Sequence, residues 1–315
     1  MEPKISIVIP TFNRAHIIKD TLDSVLRQTF KNWECLVVDD GSNDDTGKLL
    51  KNYEQIDRRI KYIIRPENRK KGANTCRNIG IEKSKGQYVQ FLDSDDLLAS
   101  DKLEIQLKML ETSGSNAIAT CRWGGIGANQ EKAKLYNGLP TYFSTRSPVE
   151  LIEVYGKALT FFPPHVFLVP KSVVLKAGNW NEDLIINQDG EFFSRIILTS
   201  SEIQFCKNTY ALYRSGAGDR TTGSQRSEKR RRGYMKSLEL IDENIWSYIN
   251  IKNHVYVKQR KTELYYKLQK ENQRLIDENL TFFKERTSNL MYYYYRLYWG
   301  IRRRLFRKVE LIRYP

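Results

Sequence analysis

The first hundred residues alternate between short apolar runs and segments with helical spacing, and this alternation constrains the fold more than any other feature. The apolar runs are residues 5–9, 33–38, 60–64 and 88–92. Such an alternation favours a mostly parallel sheet whose strands are joined by right-handed helical crossovers. We therefore predict an α/β fold in which helices flank a central sheet.

Polar clusters stand at the ends of three of these predicted strands. They are residues 11–14, 39–42 and 93–96. In parallel α/β sheets the carboxyl ends of the strands share one edge, and ligands bind there. The three clusters are therefore predicted to meet at one ligand site.

The third cluster contains Asp93, Asp95 and Asp96. Three neighbouring carboxylates repel one another and need a counter-charge when they are buried. Mn²⁺ or Mg²⁺ would supply it, because both ions bind oxygen ligands and a substrate diphosphate can complete the coordination shell. An alternative remains open, and this motif alone favours it: the carboxylates cap the next helix.

Charge divides the chain into two parts. The net charge is +15, which indicates an anionic partner without identifying it. Residues 224–315 contain 22 Lys and Arg against 10 Asp and Glu, so most of the excess lies there. We predict a near-neutral globular part at residues 1–223 and a basic, largely helical C-terminal extension at residues 224–315.

The cysteines indicate a reducing compartment. Cys35, Cys76, Cys121 and Cys206 are widely spaced, which favours reduced thiols over a zinc site or a disulfide framework. The sequence starts without a signal-peptide pattern, and no apolar run approaches the ~20 residues of a membrane span. We expect a cytoplasmic protein, with peripheral attachment to the inner face of a membrane as an option.

Four motifs occur in order: SIVIPTFNR at residues 6–14, VVDDGS at 37–42, RNIG at 77–80 and FLDSDD at 91–96. With them the chain resembles the family 2 glycosyltransferases, nucleotide-sugar-dependent enzymes of GT-A type. The resemblance is specific through about residue 100, weaker to about residue 220 and absent afterwards. It implies a GT-A (Rossmann-like) domain with a nucleotide-binding half at residues 1–100 and an acceptor half at residues 101–223.

The resemblance also implies roles for individual residues. It places Pro10, Thr11, Asn13, Arg14 and Asp39 against the uridine, Asp40 in support of the turn, and Arg77, Asp93 and Ser94 beside the rest of the nucleotide. Asp95 would bind Mn²⁺ or Mg²⁺ directly, and Asp93 would contact the ribose or metal-bound water. Without the resemblance, residues 39–42 favour a turn and helix cap, and an arginine on a helix is ordinarily a solvated charge.

Residues 180–195 resemble the second signature of the family, a short acidic pair that opens a helix ending in arginine. The usual pair is Glu-Asp, whereas this chain has Gln188 and Asp189, with Glu191 two residues later. By position, Asp189 would be the general base that deprotonates the acceptor hydroxyl in a single, inverting displacement. An acidic residue that only stabilises a helix start is the alternative, and the departure puts any role for Glu191 in doubt.

Other segments are less specific. Residues 124–148 have too few apolar residues to join the core. Residues 213–220 resemble a flexible loop in which Arg214 or Arg220 could contact the diphosphate, although a surface loop is favoured.

In the last stretch Leu290, Tyr294, Leu297, Ile301 and Leu305 share one helix face, and Arg296, Arg303 and Arg307 lie opposite. Such a helix suits an anionic membrane surface or packing on the globular part, and nucleic acid is not expected because no recognition motif accompanies the charge.

We therefore predict an enzyme, a hexosyl- or N-acetylhexosaminyltransferase that uses a nucleotide sugar, with UDP as the expected nucleotide. Its acceptor would be a glycan or a lipid-linked sugar of cell-surface polysaccharide synthesis. One alternative is a sugar-phosphate nucleotidyltransferase, but residues 10–14 lack the glycines that its first loop needs. The other is a non-catalytic scaffold that binds membrane or nucleic acid.

Overall fold

A computed structural model describes residues 2–127, 132–160, 163–215, 227–306 and 308–313. Within these ranges ten strands form two sheets, with strands and helices numbered here in chain order. The central sheet contains β1 (Ile5–Thr11), β2 (Trp33–Asp39), β3 (Ile60–Ile64), β4 (Tyr88–Phe91) and β8 (Val169–Pro170). Its order is β3-β2-β1-β4-β8, with the first four strands parallel and β8 antiparallel to β4. The predicted α/β fold with a mostly parallel sheet is confirmed.

Three helices make the crossovers between the parallel strands. They are α1 (Ile18–Leu26), α2 (Thr46–Ile56) and α3 (Ala73–Lys83). Helix α3 lies unusually close to β1, since a Cβ atom on Gly80 would stand 2.3 Å from a methyl carbon of Val8. This close packing holds α3 against the middle of β1.

The second sheet was not predicted. It contains β5 (Leu97–Leu98), β6 (Ile118–Gly127), β7 (Lys132–Asn137), β9 (Ile203–Ser215) and β10 (Lys308–Arg313), in the order β10-β7-β6-β9-β5. The acidic cluster at residues 93–96 forms the turn that leads from the central sheet into this one. The prediction that residues 124–148 stay out of the core is wrong, because β7 alternates the buried Ala133 and Leu135 with exposed lysines.

The remaining helices surround both sheets and form the extension. They are α4 (Lys102–Glu111), α5 (Pro148–Lys157), α6 (Lys171–Ala177), α7 (Gln188–Thr199), α8 (Glu228–Ile249), α9 (Val255–Glu271), α10 (Gln273–Asp277), α11 (Leu280–Lys284) and α12 (Asn289–Phe306). Leu238 and Ile241 of α8 and Val257 of α9 belong to the same buried cluster as β1 and α7. The extension is therefore packed on the part that contains the central sheet. The predicted boundary at residue 223 lies outside the described residues.

Helix α12 docks through one side only. Tyr292 and Trp299 are buried, and the Tyr292 ring stacks on Tyr266 with ring centres 5.1 Å apart. The predicted apolar face is the exposed one, with Leu290, Tyr294, Leu297 and Ile301 in solvent. None of the described helices combines the length and apolar composition that a membrane span requires.

The four cysteines are free and buried, as predicted. Burial raises the pKa of Cys121 to about 12 and that of Cys206 to about 11. These thiols therefore stay protonated at neutral pH and are poor nucleophiles and metal ligands.

Candidate active site

A cleft of about 780 Å³ opens at the carboxyl ends of β1 and β4 and reaches the first turn of α7. Ten of the predicted site residues line it: Pro10, Thr11, Asn13, Arg14, Asp40, Arg77, Asp93, Ser94, Asp95 and Asp189. Of the predicted site residues, all of which the structure describes, Asp39 alone lies outside the lining. The three polar clusters and Asp189 thus face a common space.

The loops after β1 and β2 hold each other in place. Asn13 has a φ of 51°, a left-handed conformation that asparagine tolerates. Its backbone N–H donates to the Ser42 hydroxyl at 2.8 Å, and its side-chain oxygen accepts from the Asn43 N–H at 2.9 Å. The Arg14 N–H donates to the Thr46 hydroxyl at 2.8 Å. The side-chain oxygen of Asn13 therefore fixes the loop geometry.

Asp39 is buried behind the cleft wall. Its carboxylate accepts hydrogen bonds from the Ser42 hydroxyl at 2.6 Å and the Tyr62 hydroxyl at 3.0 Å. Burial, together with this carboxylate, raises the pKa of Tyr62 to about 12. Thr11, the register partner of Asp39, lines the cleft, and its buried hydroxyl has no hydrogen-bond partner among the described residues. A ligand group would satisfy this hydroxyl.

Asp40 faces the cleft and organises the loop that precedes α3. One of its oxygens accepts from Arg65 Nε at 2.5 Å and from the Gly72 N–H at 3.1 Å. Gly72 has a φ of 143°, which a residue with a side chain rarely adopts. Asp40 therefore supports the loop at the entrance of the cleft.

Arg77 links the acidic turn to the rest of the site. It is only 3% exposed, so the alternative of a solvated helix charge is wrong. Its Nη2 donates to Asp93 at 2.7 Å, its Nη1 donates to Asn74 at 3.0 Å, and its guanidinium carbon lies 4.4 Å from the centre of the Trp180 ring. Burial lowers the pKa of Arg77, but the Asp93 and Asp189 carboxylates raise it by more, so this cation stays charged.

Asp95 has the environment of a carboxylate that needs a cation. Burial first, and then the neighbouring Asp96 and Asp93, raise the pKa of Asp95 to about 7. Asp93 pairs with Arg77, and an Asp96 oxygen lies 2.7 Å from His165 Nδ1, whereas Asp95 forms no ion pair with any described residue. No cluster of three or more His, Cys, Asp or Glu side chains in the described part has metal-binding geometry. Asp95 and Asp93 suit an ion that takes its other ligands from a diphosphate and water.

Asp189 stands in the first turn of α7 and reaches the cleft. Its Oδ1 is buried and has no hydrogen-bond partner among the described residues. Burial raises the pKa of Asp189 to about 6, while the Arg77 charge opposes this rise. The preceding Asn187 has a φ of 54° and donates to the Ser237 hydroxyl of α8 at 2.9 Å. Helix α8 of the extension therefore fixes the start of α7. A carboxyl with a pKa of about 6 is mostly ionised at neutral pH.

Glu191 has a different role. It is buried and accepts from Arg195 Nε at 2.7 Å and Nη2 at 2.8 Å, and from Asn244 of α8 at 3.1 Å. Arg195 also donates to the Asn179 carbonyl at 2.9 Å. Glu191 thus connects α7 to α8 and, through Arg195, to the segment that precedes α7. This role is structural.

Sequence reasoning missed the contacts of Arg214. This residue belongs to β9 and is buried, so the favoured surface loop is wrong there, while residues 216–220, with Arg220, lie outside the described part. The Arg214 N–H donates to Asp96 at 2.8 Å, its Nε donates to the Asp95 carbonyl at 3.0 Å and its Nη2 donates to Asp20 at 2.8 Å. These contacts join residues 118 and more positions apart, so no local pattern could have revealed them.

Curated relatives share the N-terminal part of the chain. The putative teichuronic acid biosynthesis glycosyltransferase TuaG of Bacillus subtilis is 45% identical over 113 residues, which are 36% of this chain and 44% of that protein. The GalNAc(5)-diNAcBac-PP-undecaprenol beta-1,3-glucosyltransferase of Campylobacter jejuni is 36% identical over 119 residues, 38% of each chain. The chain thus matches less than half the length of these relatives.

Solved structures share the fold at low identity. S. aureus TarS 1–349 in complex with UDP-GlcNAc has a TM-score of 0.66 and 17% identity, over 88% of this chain and 76% of that one. The mannosyltransferase PcManGT from Pyrobaculum calidifontis, with GDP-Man and Mn²⁺, has a TM-score of 0.56 and 14% identity, over 96% of this chain and 84% of that one.

Residues 6–178, more than half of the chain, match the model of glycosyl transferase family 2. This stretch contains β1 to β4, the acidic turn and the polar loops of the cleft. The match agrees with the architecture of the central sheet and with the GT-A structures that resemble it. The chain therefore belongs to glycosyl transferase family 2 and has a GT-A fold.

Proposed function

We propose that this glycosyltransferase uses a UDP-sugar and a divalent cation, Mn²⁺ or Mg²⁺, to glycosylate a hydroxyl of a glycan or lipid-linked acceptor with inversion. The observation that carries the proposal is that Asp93, Asp95 and Asp189 line one cleft together with the buried Arg77. The names of relatives point in the same direction. One acts on a diphosphoundecaprenol-linked acceptor, and TarS was solved with UDP-GlcNAc.

The donor would lie along the loops after β1 and β4. The Thr11 hydroxyl, which no described residue hydrogen-bonds, would bind the nucleoside. Arg14 and Arg77 would supply positive charge near the phosphates. Asp39 would act through the loop that it supports, because its carboxylate is already hydrogen-bonded. Asp95, with Asp93, would hold the metal ion, which supplies charge stabilisation to the leaving diphosphate.

Asp189 would act as the base. Its Oδ1, which has no hydrogen-bond partner among the described residues, can accept the proton of an acceptor hydroxyl. The raised pKa of about 6 gives it more proton affinity than an exposed aspartate has. The helix N-terminus favours the ionised form that a base requires. Asp189 belongs to α7, whereas Asp95 belongs to the turn after β4. Different residues would therefore bind the donor and activate the acceptor.

Turnover of a panel of UDP-sugars tests this proposal. Wild type is compared with Asp95→Ala, Asp189→Ala and the control Asp183→Ala, which removes an exposed carboxylate from the segment that precedes α7. We expect Asp95→Ala to lose Mn²⁺-dependent turnover. Asp189→Ala should lose about 10²-fold or more of transfer and retain Mn²⁺-dependent UDP binding. Equal, metal-independent turnover in all four proteins would exclude the assignment.

We also propose that α12 attaches the enzyme to an anionic membrane surface. Leu290, Tyr294, Leu297 and Ile301 form an exposed apolar face, with Leu297 67% exposed. The basic extension supplies the attraction to acidic lipids, about 1 kcal/mol for each lysine or arginine near the surface. An acceptor with a lipid anchor would then meet the enzyme at the membrane.

Sedimentation with vesicles tests this attachment. Wild type should sediment with phosphatidylcholine vesicles that contain phosphatidylglycerol and remain in solution with pure phosphatidylcholine. Leu297→Glu should abolish sedimentation, whereas Ile56→Glu, at an exposed position on α2, should not. Equal sedimentation of both variants would contradict the role of α12.

A further inference from the structure

The cleft extends beyond the groups that the donor requires. Asp189, Phe193 and Ile197 all line it, and they lie four residues apart on one face of α7. Eight residues of helix span about 12 Å, so the cleft continues for that length past the proposed base. The chemistry of the lining changes along the way, from charged side chains to aromatic and aliphatic ones.

The extension builds one wall of this distal part. Tyr234 of α8 and Tyr256 of α9 line it, as do Ile152 and Tyr155 of α5. Helices α5 and α9 approach closely, since a Cβ on Gly156 would lie 2.4 Å from the Tyr256 Cα. We call the space between Ile152, Tyr155, Phe193, Ile197, Tyr234 and Tyr256 the distal chamber. Its α8 and α9 wall lies outside the residues that match the family model.

Among the described residues, Arg260 is the one charged side chain that lines the distal chamber. Its Nη2 donates to the Thr160 carbonyl at 2.7 Å, and its Nη1 donates to Glu263 at 3.1 Å. The Arg260 side chain is only 13% exposed, whereas that of Glu263 is 45% exposed. The acidic partner therefore lies toward solvent. A guanidinium at a mostly apolar surface is costly to desolvate and suits recognition of an anion.

We propose that the distal chamber is the acceptor subsite and that it takes a sugar bearing an anionic group, either a phosphate or a carboxylate, which pairs with Arg260. This inference rests on the proposed function, because Asp189 must face the acceptor hydroxyl. Ligand sites are commonly apolar with a few convergent polar groups, and here aromatic walls surround the sugar while the arginine selects the charge. Arginine binds carboxylates and phosphates through paired N–H groups, which gives such selection its strength.

Binding of matched sugar pairs to the full chain tests the subsite. UDP and Mn²⁺ are present at saturation, so that the probes cannot occupy the donor site. Methyl glucoside is compared with methyl glucuronide and with glucose 1-phosphate, and the galactose and N-acetylglucosamine pairs are treated in the same way. In at least one pair the charged member should bind about tenfold more tightly or better. Comparison of the two arms shows whether the anion is a carboxylate or a phosphate.

Three variants separate recognition from packing. Arg260→Gln should remove the preference for the charged sugar and leave Mn²⁺-dependent UDP binding unchanged. Glu263→Gln keeps the guanidinium and should keep the preference, as should Arg274→Gln, which alters an exposed arginine of α10. No preference in wild type, or a preference that survives in Arg260→Gln, overturns the inference while UDP binding persists. If wild type itself does not bind UDP in the presence of Mn²⁺, the proposed function and the inference are both overturned.

Discussion

Replacement of Asp189 by asparagine should lower activity and raise stability at the same time. Asparagine has the same shape but cannot accept a proton, so transfer should fall by about 10²- to 10⁴-fold, the usual contribution of a general base. Opposite effects on activity and stability are expected where an active-site group is held in an environment that disfavours its functional form.

The expected gain in stability follows from the pKa. Burial raises the pKa of Asp189 from 3.8 to about 6 in the folded protein. The folded state therefore binds the proton more tightly than the unfolded state. The stability that the protonated carboxyl contributes is lost as the pH rises from about 4 to about 6. At neutral pH the ionised side chain costs up to about 3 kcal/mol, because a tenfold change in proton affinity corresponds to about 1.4 kcal/mol.

Asp189→Asn removes that cost. Its free energy of unfolding at pH 7 should exceed that of wild type by about 1–3 kcal/mol, and the two proteins should converge below about pH 4. The same pKa predicts that the rate of transfer by wild type falls about tenfold for each pH unit below about pH 6.

Urea unfolding at several pH values and initial rates of transfer measure these effects. Asp183→Asn is the matched control, because its carboxylate is 91% exposed and its one ion pair with a described residue is to the surface Lys70. That variant should resemble wild type in both assays. A variant Asp189→Asn that is active, or that is no more stable than wild type at pH 7, would refute the assignment of a buried, ionised base.

Three further predictions concern the Asp95 turn and the packing of α3 on β1. Asp95→Asn should raise the Mn²⁺ concentration that gives half-maximal turnover by about tenfold or more, measured by metal titration. Arg214→Ala, which removes the side-chain hydrogen bond to the Asp95 carbonyl and the bond that ties Arg214 to Asp20 of α1, should weaken Mn²⁺ activation while sparing UDP binding in the absence of metal. Gly80→Ala should destabilise the fold by about 1–3 kcal/mol in urea unfolding, because its Cβ would overlap Val8.

The central sheet could be predicted because its signals are local. The apolar runs at residues 5–9 and 33–38 became β1 and β2 with bounds changed by one or two residues. Polar clusters at strand ends follow from the same pattern, since parallel strands bring their carboxyl ends to one edge. The alternative of a helix cap could not be rejected from sequence, because an aspartate after a strand serves either purpose.

The second sheet and the distal chamber could not be predicted for a physical reason. Strands β6 and β9 pair across more than 80 residues, with Cys121 opposite Cys206, and neither carries a signal for its partner. Arg260 reaches the Thr160 carbonyl across 100 residues. Tertiary contacts of this kind depend on which faces remain uncovered after the central sheet forms, and helical periodicity alone does not specify them.

The geometry of α7 explains why the acidic side chains near its start have separate functions. Successive residues of a helix are rotated by about 100°, so Asp189 and Glu191 point about 200° apart and cannot share one face. With Asp189 toward the cleft, Glu191 must face the core, where a charge requires a partner. Arg195, one turn later on the same side of α7, is this partner. Arg195 also donates a hydrogen bond to the Asn179 carbonyl. The glutamine at position 188 therefore leaves Asp189 at the cleft, because helical phase sets which residue anchors the helix and which residue faces the cleft.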